Sequence, residues 1–163
     1  MKKVMVIGSP GAGKSTFSRR LQKKTNLPIV YLDQLFWKSD KTTVSPEEFT
    51  SRLKSKMQTD TWIMDGNYSK YMFDERLSAC DTVFFLDYDV HACLKGVRQR
   101  RGKKRPDMPW IEKHEDKAFM DYIRVFPQRQ KPKIMNMLAM HPDVKVYHFK
   151  DREEALVFLN KLN

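Results

Sequence analysis

Val4-Met5-Val6-Ile7-Gly8-Ser9-Pro10-Gly11-Ala12-Gly13-Lys14-Ser15-Thr16 is the stretch that decides how this chain is built. Four apolar residues running into a glycine read as a buried strand. Residues 14–24 then read as a helix, with Phe17 and Leu21 four apart on one face. Between the two, Gly8 to Ser15 matches G-x-x-x-x-G-K-[ST] at every fixed position, in the strand-then-helix setting that the pattern requires. Glycines let the backbone wind around phosphates with its N–H groups pointing inward, and the helix N-terminus adds the positive end of a dipole. Gly8, Ser9, Pro10, Gly11, Ala12, Gly13, Lys14, Ser15 and Thr16 are therefore the expected nucleotide-binding residues. Lys14 is expected to reach the terminal phosphates as a catalytic cation, and the Ser15 hydroxyl to ligate Mg²⁺. The competing reading, a glycine-rich turn before an ordinary helix, does not account for the lysine and serine that follow.

Working outward, Ile29 to Leu32 reads as a second strand, followed by a polar loop from Asp33 to Val44 with exposed aromatics Phe36 and Trp37. Ser45-Pro46-Glu47-Glu48 carries three agreeing helix-start signals: a capping serine, proline at the first position and a capping-box glutamate. Trp62-Ile63-Met64 before Asp65 reads as a third strand, residues 70–79 as a short helix, and Thr82 to Leu86 as a fully apolar fourth strand. Asp89 caps a helix to about Arg101. Gly102, Pro106 and Pro109 make 102–112 a loop or lid. Helical segments fill 113–140 with interruptions near Pro127 and Pro132. Val144 to Phe149 alternates like an edge strand, and Asp151 with Glu154 opens a last helix. Strands alternating with helices predict an α/β fold, a parallel sheet covered on both faces with the continuous apolar strands in its middle.

Ligands in such sheets sit at the carboxyl ends of the strands, and three carboxylates fall there. Asp65 is the candidate for the Mg²⁺ shell, because Gly66 behind it leaves room for close approach; Asp87 reads as structural. Asp33 ends the second strand, where it can take a proton from or orient an acceptor hydroxyl, or simply start a loop beside core aromatics. From Lys95 to Arg105 stand seven basic residues and no acidic one. Arg98, Arg101 and Arg105 share a face if the helix persists. Beside a phosphate-binding loop, Arg101 and Arg105 become candidate catalytic residues that neutralise a transferring phosphoryl group. The four histidines have no ligand spacing and the ten methionines suit packing better than a cofactor.

The 163 residues suit a single domain, 1–163, with 40% hydrophobic and 31% charged residues and a mean hydropathy of −0.65. No apolar run approaches the ~20 residues of a membrane helix. The apolar stretch at Val4–Ile7 is shorter than the roughly 7–15 residues of a signal-peptide core, so a cytoplasmic location is expected. Cys80 and Cys93 form no metal-binding pair, which fits a reducing compartment. Lys and Arg number 31 against 20 Asp and Glu, a net charge of +11. That balance attracts polyanions without choosing between nucleotide, nucleic acid and lipid.

Four stretches together resemble known proteins: Gly8 to Thr16, Leu32-Asp33-Gln34-Leu35-Phe36-Trp37, Trp62-Ile63-Met64-Asp65-Gly66-Asn67-Tyr68-Ser69, and Arg105-Pro106-Asp107-Met108. The chain resembles the small P-loop kinases of the adenylate kinase and shikimate kinase type and, more narrowly, the bacterial family of DNA topology modulation proteins. The resemblance implies a P-loop NTPase fold, a five-stranded parallel sheet in the order 2-3-1-4-5 with a short lid, and adenosine nucleotide binding. That order puts the Asp65 strand beside the phosphate-loop strand. Adenylate kinases follow the third-strand Asp-Gly with Phe-Pro-Arg, whose arginine helps bind the acceptor's phosphate. Here Asn67-Tyr68-Ser69 follow instead, which leaves Arg76 of the next helix as a substitute. The function expected is transfer of the γ-phosphoryl group of ATP, with Mg²⁺, to a small acceptor by a monomer or homodimer without membrane contact. Nucleic acid is expected to bind weakly if at all. The alternatives are a nucleotide-dependent DNA-binding regulator and a slow ATPase with no acceptor.

Overall fold

The computed structural model describes residues 1–162. Its five strands are β1 (Lys3–Gly8), β2 (Ile29–Tyr31), β3 (Trp62–Asp65), β4 (Thr82–Leu86) and β5 (Lys145–Phe149). They form one sheet in the order β2-β3-β1-β4-β5, every pair parallel. The expected order holds, and with it the neighbour relation that matters: Val6 of β1 lies in register with Asp65 of β3.

Successive side chains of β1 feed two cores. Val4 and Val6 pack with Phe17 and Leu21 of α1 (Lys14–Thr25), Cys93 of α5 (Val90–Arg100), Met120 and Ile123 of α6 (Lys117–Arg129), and Ala155 and Leu159 of α8 (Arg152–Lys161). Met5 and Ile7 face the other way, onto Phe49 and Leu53 of α3 (Pro46–Met57), Phe73 and Leu77 of α4 (Phe73–Ala79), and Ile134 and Leu138 of α7 (Lys131–Ala139). Strands buried on both faces explain why the interiors of β1, β3 and β4 are continuously apolar, whereas edge strand β5 keeps Lys145 and Val146 exposed.

Four of the eight helices among the described residues start on a side-chain cap. Ser45, Asp89, Asp116 and Asp151 each accept a backbone N–H at the head of their helix. The capping box at Ser45 is half made: Glu48 supplies its N–H to Ser45, but its carboxylate turns to Arg52 at 2.5 Å. Two expectations fail in the same region. The second strand stops at Tyr31, and Leu32–Phe36 coil into a short helix, α2, in place of the loop expected from Asp33. Phe36 and Trp37 are half-buried, because Phe36 packs on Phe49, Tyr68 and Tyr71. An antiparallel bridge between Trp37 and Thr43 then folds residues 38–42 back as a tight turn. Further along, α5 ends at Arg100, so Arg98, Arg101 and Arg105 do not share a helical face. Residues 101–116 contain no helix or strand.

Candidate active site

The loop between β1 and α1 sets the site. Gly13 stands at the helix N-cap with φ +92°, a left-handed conformation, and a Cβ there would meet nothing within 4 Å. The backbone thus turns into the helix while leaving open space over its first N–H groups. On its other side the loop is pressed against α5: a Cβ on Gly96 would lie 2.1 Å from the Gly11 carbonyl oxygen. Asn67 fixes the loop's start from β3's side. Its Oδ1 accepts the Gly8 N–H at 2.9 Å and its Nδ2 donates to the Gly8 carbonyl at 2.7 Å. Lys14 lies back along this loop, its Nζ donating to the carbonyls of Gly8 and Ser9 at 3.0 and 3.1 Å. Burial lowers its pKa, and Asp65 and Asp33 pull it back up.

Asp65 closes the floor. It is 4% exposed, and its Oδ2 is buried without a hydrogen-bond partner. Burial pushes the carboxyl up to about 7, against the pull of the Lys14 ammonium and the Ser15 hydroxyl. An orphaned carboxylate oxygen beside the Ser15 hydroxyl at a helix N-terminus offers two hard oxygen donors suited to a divalent cation. Asp87 is placed differently: Lys131, His148 and Lys150 all lie within 2.8 Å of its Oδ2. These partners hold its carboxyl below the usual range despite partial burial. Its contacts are those of a structural ion cluster.

A cleft of about 1080 Å³ extends from this loop over the ends of β2 and β3. Asp33, in the first turn of α2, receives the Tyr68 hydroxyl at 2.5 Å. Burial raises its pKa, while Tyr68 and Lys14 oppose the rise. Tyr68 has φ +42°, a strained value for a tyrosine, and Arg76 holds that strain in place. The Arg76 guanidinium is 0% exposed and donates to the carbonyls of Asn67 (2.6 Å), Tyr68 (2.9 Å) and Tyr71 (3.3 Å). This corrects the role expected for Arg76: it is spent on backbone carbonyls beneath the loop and does not reach the cleft. Trp37 and Trp110 meet edge to face at 5.8 Å on the cleft's outer wall.

Segment 101–116 is tied down by carboxylates. Gly102 donates to the Glu112 carbonyl, and Arg100 lies 2.9 Å from the Glu112 carboxylate. Arg105 bridges Asp107 at 3.0 Å and Glu112 at 3.4 Å, while Arg101 turns to Glu115 at 2.6 Å. Of the two arginines expected to act, Arg105 is drawn inward, with burial lowering its pKa and Asp33 among the charges it feels. Arg101 sits at the outer edge. Arg100, which bears on both Lys14 and Asp33, is the arginine that sequence reasoning passed over. Its only signal was membership of the basic run. Asn67 was quoted as part of a motif with no role, although an amide is the side chain able to bond both N–H and C=O of one glycine.

No protein-family model matches the chain, and no curated protein matches it in sequence. Solved structures do match in shape. Shikimate kinase from Acinetobacter baumannii, in complex with shikimate, superimposes with a TM-score of 0.64 at 18% identity over 100% of this chain and 96% of that one. Shikimate kinase from Bacteroides thetaiotaomicron gives 0.60 at 18% identity, covering 98% and 94%. Deoxyadenosine kinase from M. mycoides, with bound dCTP, gives 0.51 at 15% identity, covering 98% of each. At these identities the likeness establishes the fold: that of the P-loop kinases.

Proposed function

We propose that the protein is an ATP-dependent small-molecule kinase, a single P-loop kinase-like domain whose segment 102–112 serves as the lid. One observation carries the reading: the orphaned, buried Asp65 carboxylate beside Ser15 and Lys14, at the open N-terminus of α1. Ser15 and Asp65 would hold Mg²⁺, which when bound spreads positive charge over the phosphate oxygens. Residues 8–16 cradle the nucleotide, and Lys14 balances the charge at its terminal phosphates. Asp33 faces the same cleft from β2's end and accepts the proton of the acceptor hydroxyl, with Tyr68 holding its carboxylate in position. Arg105 and Arg100 supply further positive charge from the lid side.

The fold neighbours named for kinase activity on shikimate and on deoxyadenosine support a small acceptor. The motifs that resemble the DNA topology modulation family, around Trp37 and Asn67, have internal work in this cleft, so they supply no separate DNA-binding element. The test is calorimetric titration of ATP with Mg²⁺ into wild type and Lys14→Ala, with ADP release followed in parallel. Lys14→Ala is expected to lose most binding or turnover; equal affinity and equal turnover in the two would remove the kinase reading.

A further inference from the structure

The β2–β3 end of the cleft differs in character from the phosphate-loop end. Its walls are aromatic, with Trp37 and Trp110 edge to face and Tyr68 and Tyr71 packed around Phe36. Its inner polar group is the Asp33 carboxylate, whose visible partner is a phenol. Three of the arginines nearest it are committed. Arg76 is fully buried on four backbone carbonyls. Arg105 is shared between Asp107 and Glu112 and Arg100 is on Glu112, while Arg19 lies 3.7 Å from Asp107 with its buried Nη1 making no hydrogen bond.

Freeing Arg105 for an acceptor's phosphate or carboxylate would leave Asp107, 3% exposed, facing Arg19 alone at 3.7 Å. A buried carboxylate left that poorly paired is costly. Lys41 and Lys70 also line the cleft, but both side chains are exposed, where water and salt screen them, and Lys41 is already seated 5.3 Å over the Trp110 ring. Trp110 adds an indole N–H that is buried without a partner, a donor suited to a neutral carbonyl or ring nitrogen as much as to an anion.

We infer that the acceptor is an uncharged molecule of the nucleoside type, joining a flat ring that lies against Trp37 and Trp110 to a hydroxyl presented to Asp33. The inference rests on the kinase reading above for its reaction, but not for its binding. In that reaction the acceptor oxygen forms a bond to the γ-phosphorus and the bond to the β–γ bridging oxygen breaks. ADP leaves with that electron pair, and the hydroxyl proton passes to Asp33. A flat ring gains stacking area on indole faces, and a neutral hydroxyl donates to the carboxylate where a second anion would be repelled.

Matched pairs that differ only in charge decide it: adenosine with AMP, and thymidine with TMP. Each is titrated calorimetrically into full-length protein whose nucleotide site is filled by a non-hydrolysable ATP analogue with Mg²⁺. Tryptophan fluorescence is read alongside in wild type, Trp37→Phe and Trp110→Phe, since fully buried Trp62 contributes a constant background. At least one nucleoside is expected to bind tenfold or more tightly than its monophosphate, with the fluorescence change reduced in both tryptophan variants. Asp33→Asn should narrow that preference severalfold by removing the repelling charge.

The inference is overturned if the monophosphates bind as tightly or more tightly. It is equally overturned if no nucleoside binds, or if binding leaves Trp37 and Trp110 unaffected. The kinase reading fails separately: nucleoside binding with the expected preference, but no transfer of label from γ-phosphate-labelled ATP, would retain the site and discard the reaction.

Discussion

Replacing Asp65 by asparagine should stabilise the ligand-free protein while removing the metal-dependent chemistry proposed for it. In the fold this carboxyl titrates near 7, against 3.8 as the ordinary value, because burial penalises its charged form more than Lys14 and Ser15 repay. An acid whose folded pKa is raised binds its proton more tightly folded than unfolded. Its contribution to stability is therefore full below pH 4 and is lost as the pH rises toward 7. A rise of roughly three units is worth about 4 kcal/mol at 1.36 kcal/mol per unit, which is the ceiling on what Asp65→Asn recovers at pH 7.5. Asparagine fits the same space uncharged, but its amide must also find partners for one oxygen and two N–H bonds. A gain of about 1–3 kcal/mol is the expected net, since a buried unpaired polar atom costs a similar amount. Urea denaturation at pH 4.5 and pH 7.5 measures it. The gain should be present at pH 7.5, nearly absent at pH 4.5, and reversed in sign once ATP with Mg²⁺ is added at saturation, because wild type alone retains the carboxylate proposed to hold the metal. A variant less stable than wild type at pH 7.5 without ligand, or equally stabilised by ATP with Mg²⁺, would refute the argument.

Three further substitutions test the loop and the proposed lid. Gly96→Ala places a methyl 2.1 Å from the Gly11 carbonyl, so the phosphate loop must shift; nucleotide affinity should fall tenfold or more, with about 1–3 kcal/mol of stability lost, and unchanged affinity by calorimetry would show the contact to be soft. Arg105→Ala should lower turnover more than ATP binding, since its target charge matures during transfer, whereas Arg101→Ala, already on Glu115 at the outer edge, should change both by less than threefold. Equal losses in steady-state kcat for the two would undo the distinction drawn between them.

The central strands were legible in the sequence because each is a short apolar run leading to a glycine or an aspartate, and because the loop motif fixes where β1 stops and α1 starts; their order came from the resemblance alone. The phosphate-loop half of the cleft is local in the same way: residues 8–16 are contiguous, so their pattern alone places them. The other half is assembled from residues 33, 67, 68, 76 and 105–112, and its geometry depends on side chains meeting across the sheet. Asp33 could be singled out by its position, but Tyr68 as its partner could not. Arg76 reads as any helical arginine, and that its guanidinium is buried under the 66–71 turn follows only from where α4 packs. The short helix at Leu32–Phe36 was missed for a related reason. Its five residues carry no cap, and it is held by Leu32 in the core and Phe36 on Phe49. Tertiary packing decided what local propensity left open.

The basic run looked like one feature and is three. Arg98 and Arg101 pair with Glu115 at the surface, Arg100 and Arg105 converge on Glu112 within the cleft wall, and Lys103 and Lys104 have no carboxylate within 4 Å among the described residues. The pairing carboxylates, Asp107, Glu112 and Glu115, lie 2, 7 and 14 positions from their nearest paired arginines, just beyond the run that a charge count treats as uniformly basic. A long polyanion pressed on this segment would have to displace those carboxylates one by one, whereas a nucleotide phosphate entering the cleft meets the half-buried Arg105 and Arg100 at short range, where screening is weak. The net charge of +11 thus says little about what the segment recognises. What matters is which charges face the cleft once the neighbouring acids are counted: Lys14 with the N–H dipoles of the loop, and Arg105 and Arg100 shared with Glu112.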